Sequence, residues 1–200
     1  MAEVTTELIK QLRERTGAGM MDCKKALLEC TGEMEKAMEL LKQKGLLIVA
    51  KKAGRTANAG VVESYVHLAG RIGVIVEVNC ETDFVARNPQ FKEFAHDVAM
   101  QVAAAKAVWV SREEITTETI EHERSLQRAR ALDEGRPEKV VERIVAGRMD
   151  KFFTETCLLE QPFIKDDTMT IRDLLNQKIA LFGENMQIRR FVRFEVGEPL

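Results

Sequence analysis

The chain has 200 residues, 45% hydrophobic and 31% charged, with 30 basic and 32 acidic side chains and a net charge of −2. This length supports one sizeable core or two modest domains, and the near-neutral balance argues against general nucleic-acid binding, which calls for clustered excess Lys and Arg. No apolar run approaches the roughly 18 residues of a membrane span, and the opening MAEVTTELIKQLRERTG carries Glu3 and Glu7 without the apolar stretch of a secretory signal.

Residues 4–14 put Val4, Leu8, Ile9 and Leu12 on one face of a first helix, with Thr5 or Thr6 as its N-cap. Thr16-Gly17-Ala18-Gly19 breaks it, because Gly17 or Gly19 takes positive φ without a Cβ penalty. A second helix is expected from Met20 to Cys30 with Met21, Ala26, Leu27 and Cys30 inward. A third, over 33–44, turns Met34, Ala37, Met38 and Leu41 inward and stops at Gly45. Three short helices with tight connections make a compact bundle. Leu46 to Ala50 adds a short apolar helix before KKAGRTANAG, residues 51–60, whose small, basic and glycine-bearing composition reads as a linker.

Beyond it the periodicity becomes strand-like. Val61, Val62, Tyr65 and Val66 form one strand and Arg71 to Asn79 another, joined in a hairpin by His67-Leu68-Ala69-Gly70. Asn88-Pro89 is a helix entry, since Asn caps and Pro at the first position gives up no needed N–H. The helix it opens buries Phe91, Phe94, Ala95, Val98, Val102 and Ala105. Two charge-mixed helices follow, about 117–134 and 138–156, separated by Gly135-Arg136-Pro137. Leu158 to Asp167 reads as a loop, about Thr170 to Leu181 as a helix, and Gln187 to Val196 as a last strand. The expected class is α+β: a three-helix head (1–52), a linker (53–60) and a core (61–200) whose three-stranded antiparallel sheet is packed by helices.

Few segments invite chemistry. The Gly-rich stretch at 16–25 fails as a phosphate loop, because no strand precedes it and the Gly-Lys-Ser/Thr ending is missing. Cys23, Cys30, Cys80 and Cys157 lie far apart with no CxxC pair. Zinc or a disulfide framework is therefore not expected, and reduced thiols in a cytoplasm are. His67, His96 and His122 sit on three elements with no shared spacing, which favours surface or packing roles over metal or acid–base ones. One position stands out. Phe84, in the turn of EVNCETDFVARNPQF (77–91), is a bulky aromatic among polar neighbours. Spacing leaves two readings open: a hydrophobic staple folded beneath the next helix, or an exposed aromatic anchor with Asp83 beside it.

Six segments together resemble the elongation factor Ts family: LRERTGAGMMDCKKAL (12–27), KKAG (51–54), VEVNCETDFVARN (76–88), GRPEKVVERIVAGRMDKF (135–152), LLEQPF (158–163) and IRRFVRFEVGE (188–198). The resemblance covers essentially the whole chain. It implies a guanine-nucleotide exchange factor for the GTPase elongation factor Tu, with no covalent chemistry, no cofactor and no metal of its own. It further implies a ubiquitin-associated-like head and an exposed Thr-Asp-Phe-Val turn whose ring wedges into the GTPase near its magnesium and phosphate site. Those roles fall on Thr82, Asp83, Phe84 and Val85, which turns the reading of Phe84 from staple to anchor. Lys24 and Lys52 match basic positions of the partner-facing surface, where a merely solvated lysine is the competing reading. Ile144 and Val145 match an apolar stretch implicated in partner contact, and core packing claims at least one of them. Longer members carry two related halves in the core; this chain resembles the short form with one copy, so a homodimer would recreate the two-half surface. The alternative function is a non-catalytic interaction module whose head binds another protein while Phe84 lies in the core.

Overall fold

A computed structural model describes residues 4–198. Its elements run α1 (Thr6–Thr16), α2 (Met20–Glu29), α3 (Met34–Lys52), β1 (Ala59–His67), β2 (Ile72–Cys80), α4 (Asp83–Ala86), α5 (Pro89–Ala105), α6 (Thr117–Asp133), α7 (Glu138–Thr156), β3 (Pro162–Phe163), β4 (Asp166–Thr170), α8 (Ile171–Phe182) and β5 (Met186–Glu195). The α+β class holds, with β1, β2 and β5 forming a three-stranded antiparallel sheet in the order β1-β2-β5. By internal contacts the chain forms two compact units. One holds the described residues up to Val61 with Val78–Phe94 and Asp173–Gln187; the other holds Val62–Glu77, Ala95–Arg172 and the described residues from Ile188.

In the first unit, Thr5 caps α1 by accepting the Leu8 N–H at 3.2 Å, and Gly17, at φ +67°, ends it by donating to the Arg13 carbonyl. Ile9, Leu12, Cys23, Ala26, Leu27 and Ala37 make the head's core. Two expectations for the head need correction. Met21 points to solvent, because Cys23, Ala26, Leu27 and Cys30 define the inward stripe at i, i+3, i+4 and i+7, and Met21 falls on the opposite side. Gly45 also does not end α3. A lone glycine costs a helix interior only about 1 kcal/mol relative to Ala, and the good helix formers that follow carry α3 to Lys52. A Cβ placed on Gly45 would lie 3.5 Å from that of Ala180, so α3 rests on α8 at this point. Lys51 and Lys52 therefore close a helix, where their charges suit the C-terminal end of its dipole, instead of opening a linker. Gly60, already in β1, is needed where it stands: a Cβ there would meet the Val78 carbonyl oxygen at 2.2 Å. Phe91 of α5 is fully buried and meets Phe182 of α8 edge-on, 6.3 Å between ring centres.

In the second unit, α6 and α7 form an antiparallel pair. Their turn is a Schellman motif, with Arg136 N–H donating to Ala131 O and Gly135 N–H to Leu132 O. Ala131, Val141, Val145 and Met149 fill the seam between them. The segment read as a loop, 158–167, instead contains a helical turn (Leu158–Glu160) and leads into the β3–β4 hairpin. Two buried amides hold it. Gln101 of α5 donates to Gln161 Oε1 and the Pro162 carbonyl, both at 3.1 Å, and accepts the Ile164 N–H at 2.9 Å. Gln161 in turn donates to the carbonyls of Ala105 and Glu155. All four side-chain N–H groups of the pair donate and both amide oxygens accept, so no polar atom of either side chain is left without a partner.

Candidate functional site

Strand β2 ends in the fully buried Cys80, whose thiol donates to the Thr82 carbonyl at 3.3 Å. Burial, reinforced by the negative charge of Glu184, pushes this thiol up to about 11, so it is no nucleophile at neutral pH. Thr82 then caps α4, its Oγ1 accepting the Val85 N–H at 3.4 Å. After one turn Asn88 restarts the chain as a helix. Its carbonyl accepts the Phe91 and Lys92 N–H groups and its Oδ1 accepts the Gln90 N–H at 2.9 Å, which sets the entry to α5.

Successive residues on one helical turn point about 100° apart, and that rotation separates Phe84 from its neighbours. Val85 and Ala86 are buried, at 4% and 5% exposure, while Phe84 is 83% exposed. The staple reading is thereby overturned: Val85 and Ala86 hold the inward places. Asp83 is exposed beside the ring.

The base of this turn is gripped from a distant part of the chain. Glu184, between α8 and β5, accepts the Glu81 and Thr82 N–H groups on Oε2, both at 3.1 Å, and the Thr82 hydroxyl on Oε1 at 2.6 Å. In return Glu81 Oε1 accepts the Asn185 N–H at 2.6 Å, and Asn185 Nδ2 donates to the Arg55 carbonyl at 2.6 Å. The Asn185 N–H, the Arg55 guanidinium and the charge of Lys52 hold the Glu81 carboxyl below the usual carboxylate range. Nothing local in the sequence around Glu184 and Asn185 names these partners, which lie about a hundred residues away.

The other expected site residues are spread more widely. Lys24 is exposed on α2. Lys52, at the end of α3, is half-buried and near enough to Glu81 to act on its ionisation. Ile144 and Val145 lie on α7, in the second unit. Val145 is 3% exposed in the α6–α7 seam and Ile144 packs half-buried beside it, so core packing claims Val145 outright. His67 and His96, unrelated by spacing, both meet Tyr65: its hydroxyl lies 3.0 Å from His67 Nδ1, and its ring meets that of His96 edge-on. Among the described residues no three of His, Cys, Asp and Glu converge to hold a metal ion, and no helix is long and apolar enough to cross a membrane.

One further surface is apolar without being buried. Arg190 of β5 pairs with Glu77 of β2 at 2.7 Å on one face of the sheet. Strand alternation puts Ile75, Val192 and Phe194 on that same face. Val62 and Val66 of β1 join them, because the alternate residues Glu63 and Tyr65 turn the other way, to His96 of α5. All five are exposed, Phe194 at 68%.

The family profile described as Elongation factor TS matches residues 3–198. The chain is 63% identical over 197 residues to a protein of Carboxydothermus hydrogenoformans named Elongation factor Ts, covering 98% of this chain and 91% of that one. A protein of the same name from Desulforamulus reducens is 60% identical over 200 residues, covering 100% and 92%. Another, from Thermoanaerobacter pseudethanolicus, is 57% identical over 197 residues, covering 98% and 97%.

Proposed function

The chain belongs to the elongation factor Ts family of translation elongation factors, and from that premise we propose that it is a guanine-nucleotide exchange factor that binds elongation factor Tu in its GDP form and promotes GDP release. The observation that carries the reading is Phe84: a large ring, 83% exposed, on a turn whose two ends are both fixed by hydrogen bonds. A rigid aromatic fills a partner pocket at low entropic cost.

No covalent step is needed. An exchange factor works by binding the nucleotide-free GTPase more tightly than the GDP-bound form, since only differential affinity shifts an equilibrium. Reciprocity then makes bound factor weaken GDP by the same ratio that GDP weakens the factor. A ring inserted near the partner's magnesium and phosphate site supplies such a difference, because the space it takes is available only once the nucleotide contacts loosen. In this scheme Asp83 accepts hydrogen bonds from the partner beside the ring. Thr82 caps the turn and Val85 anchors it from beneath. Lys24 and Lys52 face acidic or polar partner surface, and Ile144 adds an apolar contact that Val145 supports from the core. The head (1–52) is a ubiquitin-associated-like module, joined through 53–60 to the core (61–200). The factor works in the cytoplasm, without cofactor, metal or direct contact with nucleic acid.

Two copies associate through the outer sheet face. Its exposed Ile75, Val192 and Phe194 form the kind of clustered apolar surface that soluble chains seldom leave in water. The exchange function is tested by stopped-flow release of a fluorescent GDP analogue from elongation factor Tu. Acceleration by the wild-type protein is expected. An unchanged release rate contradicts the reading and leaves a binding module without exchange activity.

A further inference from the structure

We propose that Glu184 is a positioning residue for Phe84: by gripping the backbone of Glu81 and Thr82 it fixes where the ring points, and so sets how fast the partner loses GDP. The inference rests on the exchange reading above, but its first half concerns the free protein and stands or falls separately.

The need for such a grip follows from the backbone. Where β2 stops and α4 starts, the N–H groups of Glu81 and Thr82 belong to neither the ladder nor the helical turn, and each needs an acceptor. A capping box ordinarily solves the problem locally. The N-cap hydroxyl accepts the N–H of the third helical residue, and that residue's Glu or Gln side chain reaches back to the N-cap N–H. Here the first half is present, with Val85 N–H donating to Thr82 Oγ1. The second half is missing, because the third position is Val85, buried to hold the turn down. Glu184 supplies the absent acceptor from 102 residues away and takes the Glu81 N–H and the Thr82 hydroxyl as well. The capping box is split between two parts of the chain.

Phe84 depends on this arrangement because the ring is oriented through its backbone and not by packing of its own. At 83% exposure the ring has little packing of its own, so its direction is inherited from the α4 backbone. Val85 and Ala86 fix that backbone from below, and Glu184 fixes its start. The grip is also mutual, since the Glu81 carboxylate holds the Asn185 N–H and Asn185 holds the Arg55 carbonyl just beyond α3. The turn is thus tied to the end of the head through Glu81 and Asn185 as well as to Glu184 directly. A displacement of about 1 Å at a positioned group costs up to ~100-fold in rate.

The test uses the full-length protein, with Phe84→Ala, Glu184→Ala, Glu184→Gln and the double variant Phe84→Ala/Glu184→Ala. Stopped-flow GDP release is read at saturating factor, and amide hydrogen exchange at Glu81 and Thr82 is read by NMR in the free protein. Glu184→Ala is expected to slow release about ten-fold and to unprotect both amides. Glu184→Gln, whose amide oxygen can still accept the two N–H groups, restores most of both. In the double variant the Glu184 change adds nothing to the loss of Phe84, because its effect passes through the ring. Additive losses overturn the proposal, as does wild-type release by Glu184→Ala or amide protection unaltered by it. Should Glu184→Ala not fold, Glu184→Gln with both readouts near wild type upholds the grip, and loss of amide protection in that variant overturns it. Should the wild type itself fail to release GDP, the exchange reading falls, while the amide data still decide the grip.

Discussion

Phe84 and Val85 are adjacent in the chain and opposite in environment, at 83% and 4% exposure. A single helical turn, capped by Thr82, lets one side chain hold the protein together while its neighbour stays free for something else.

Stability and exchange should therefore separate at these two positions. Val85→Ala removes two buried methyl groups and is expected to cost about 2 kcal/mol of folding stability. Phe84→Ala, at an exposed site, should stay within about 0.5 kcal/mol of wild type. Urea unfolding midpoints with unchanged slopes check both. A large loss in Phe84→Ala would mean that the ring packs in solution.

Acid should loosen the base of the turn. The Glu81 carboxyl titrates below its ordinary value because Asn185 N–H and then Arg55 favour its charged form. A depressed folded-state value contributes stability that is present above the unfolded value of about 4.3 and lost as pH falls through the folded one. Wild type should accordingly lose more stability than Glu81→Gln as pH drops from about 5 through that window. The comparison is a difference between two proteins, because Glu113, Glu134 and Glu195 titrate low as well and contribute equally to both. Parallel pH profiles for the two would count against the Glu81–Asn185 link.

Much of this was legible in the residues and some was not, for reasons that differ by element. Helices α6 and α7 were bounded within a residue because Gly135-Arg136-Pro137 carries its own turn chemistry. Asn88-Pro89 fixed the start of α5 in the same way, and β1, β2 and β5 were read from alternation. What failed was whatever depends on a distant partner. Gly45 reads as a stop, yet its cost in a helix interior is only about 1 kcal/mol, and its packing on Ala180 of α8 leaves no local signal. The β3–β4 hairpin is held by Gln101, some 60 residues away, so its own sequence reads as loop. At the site, periodicity could not choose between staple and anchor for Phe84, because α4 is a single turn too short to show a period. Glu184 was invisible for the same reason as Gln101.

The thiols should differ in reactivity because they differ in burial. Cys23, Cys80 and Cys157 are buried, and burial raises the pKa of all three, that of Cys80 to about 11. Cys30 is only half-buried. Brief alkylation of the native protein at neutral pH, read by peptide mass spectrometry, should mark Cys30 first and leave Cys80 unmodified until denaturant is added. Early labelling of Cys80 would show that the β2 end opens readily.

Association is expected to depend on the outer sheet face. A charge placed on it at Phe194 should be tolerated by the monomer, where that residue is 68% exposed, and not by an apolar contact between copies. Sedimentation equilibrium at micromolar concentration should show a dimer for wild type and a monomer for Phe194→Asp, with unchanged circular dichroism. A wild type that is strictly monomeric removes the dimer and leaves the wedge untouched.

The central claim is that Phe84 is the group through which this protein drives GDP from elongation factor Tu. Stopped-flow release with folded Phe84→Ala tests it most directly. Truncating an engaged anchor costs ~2 kcal/mol or more, so release at fixed factor concentration should slow at least about thirty-fold. A folded Phe84→Ala that releases GDP as fast as wild type would contradict the account.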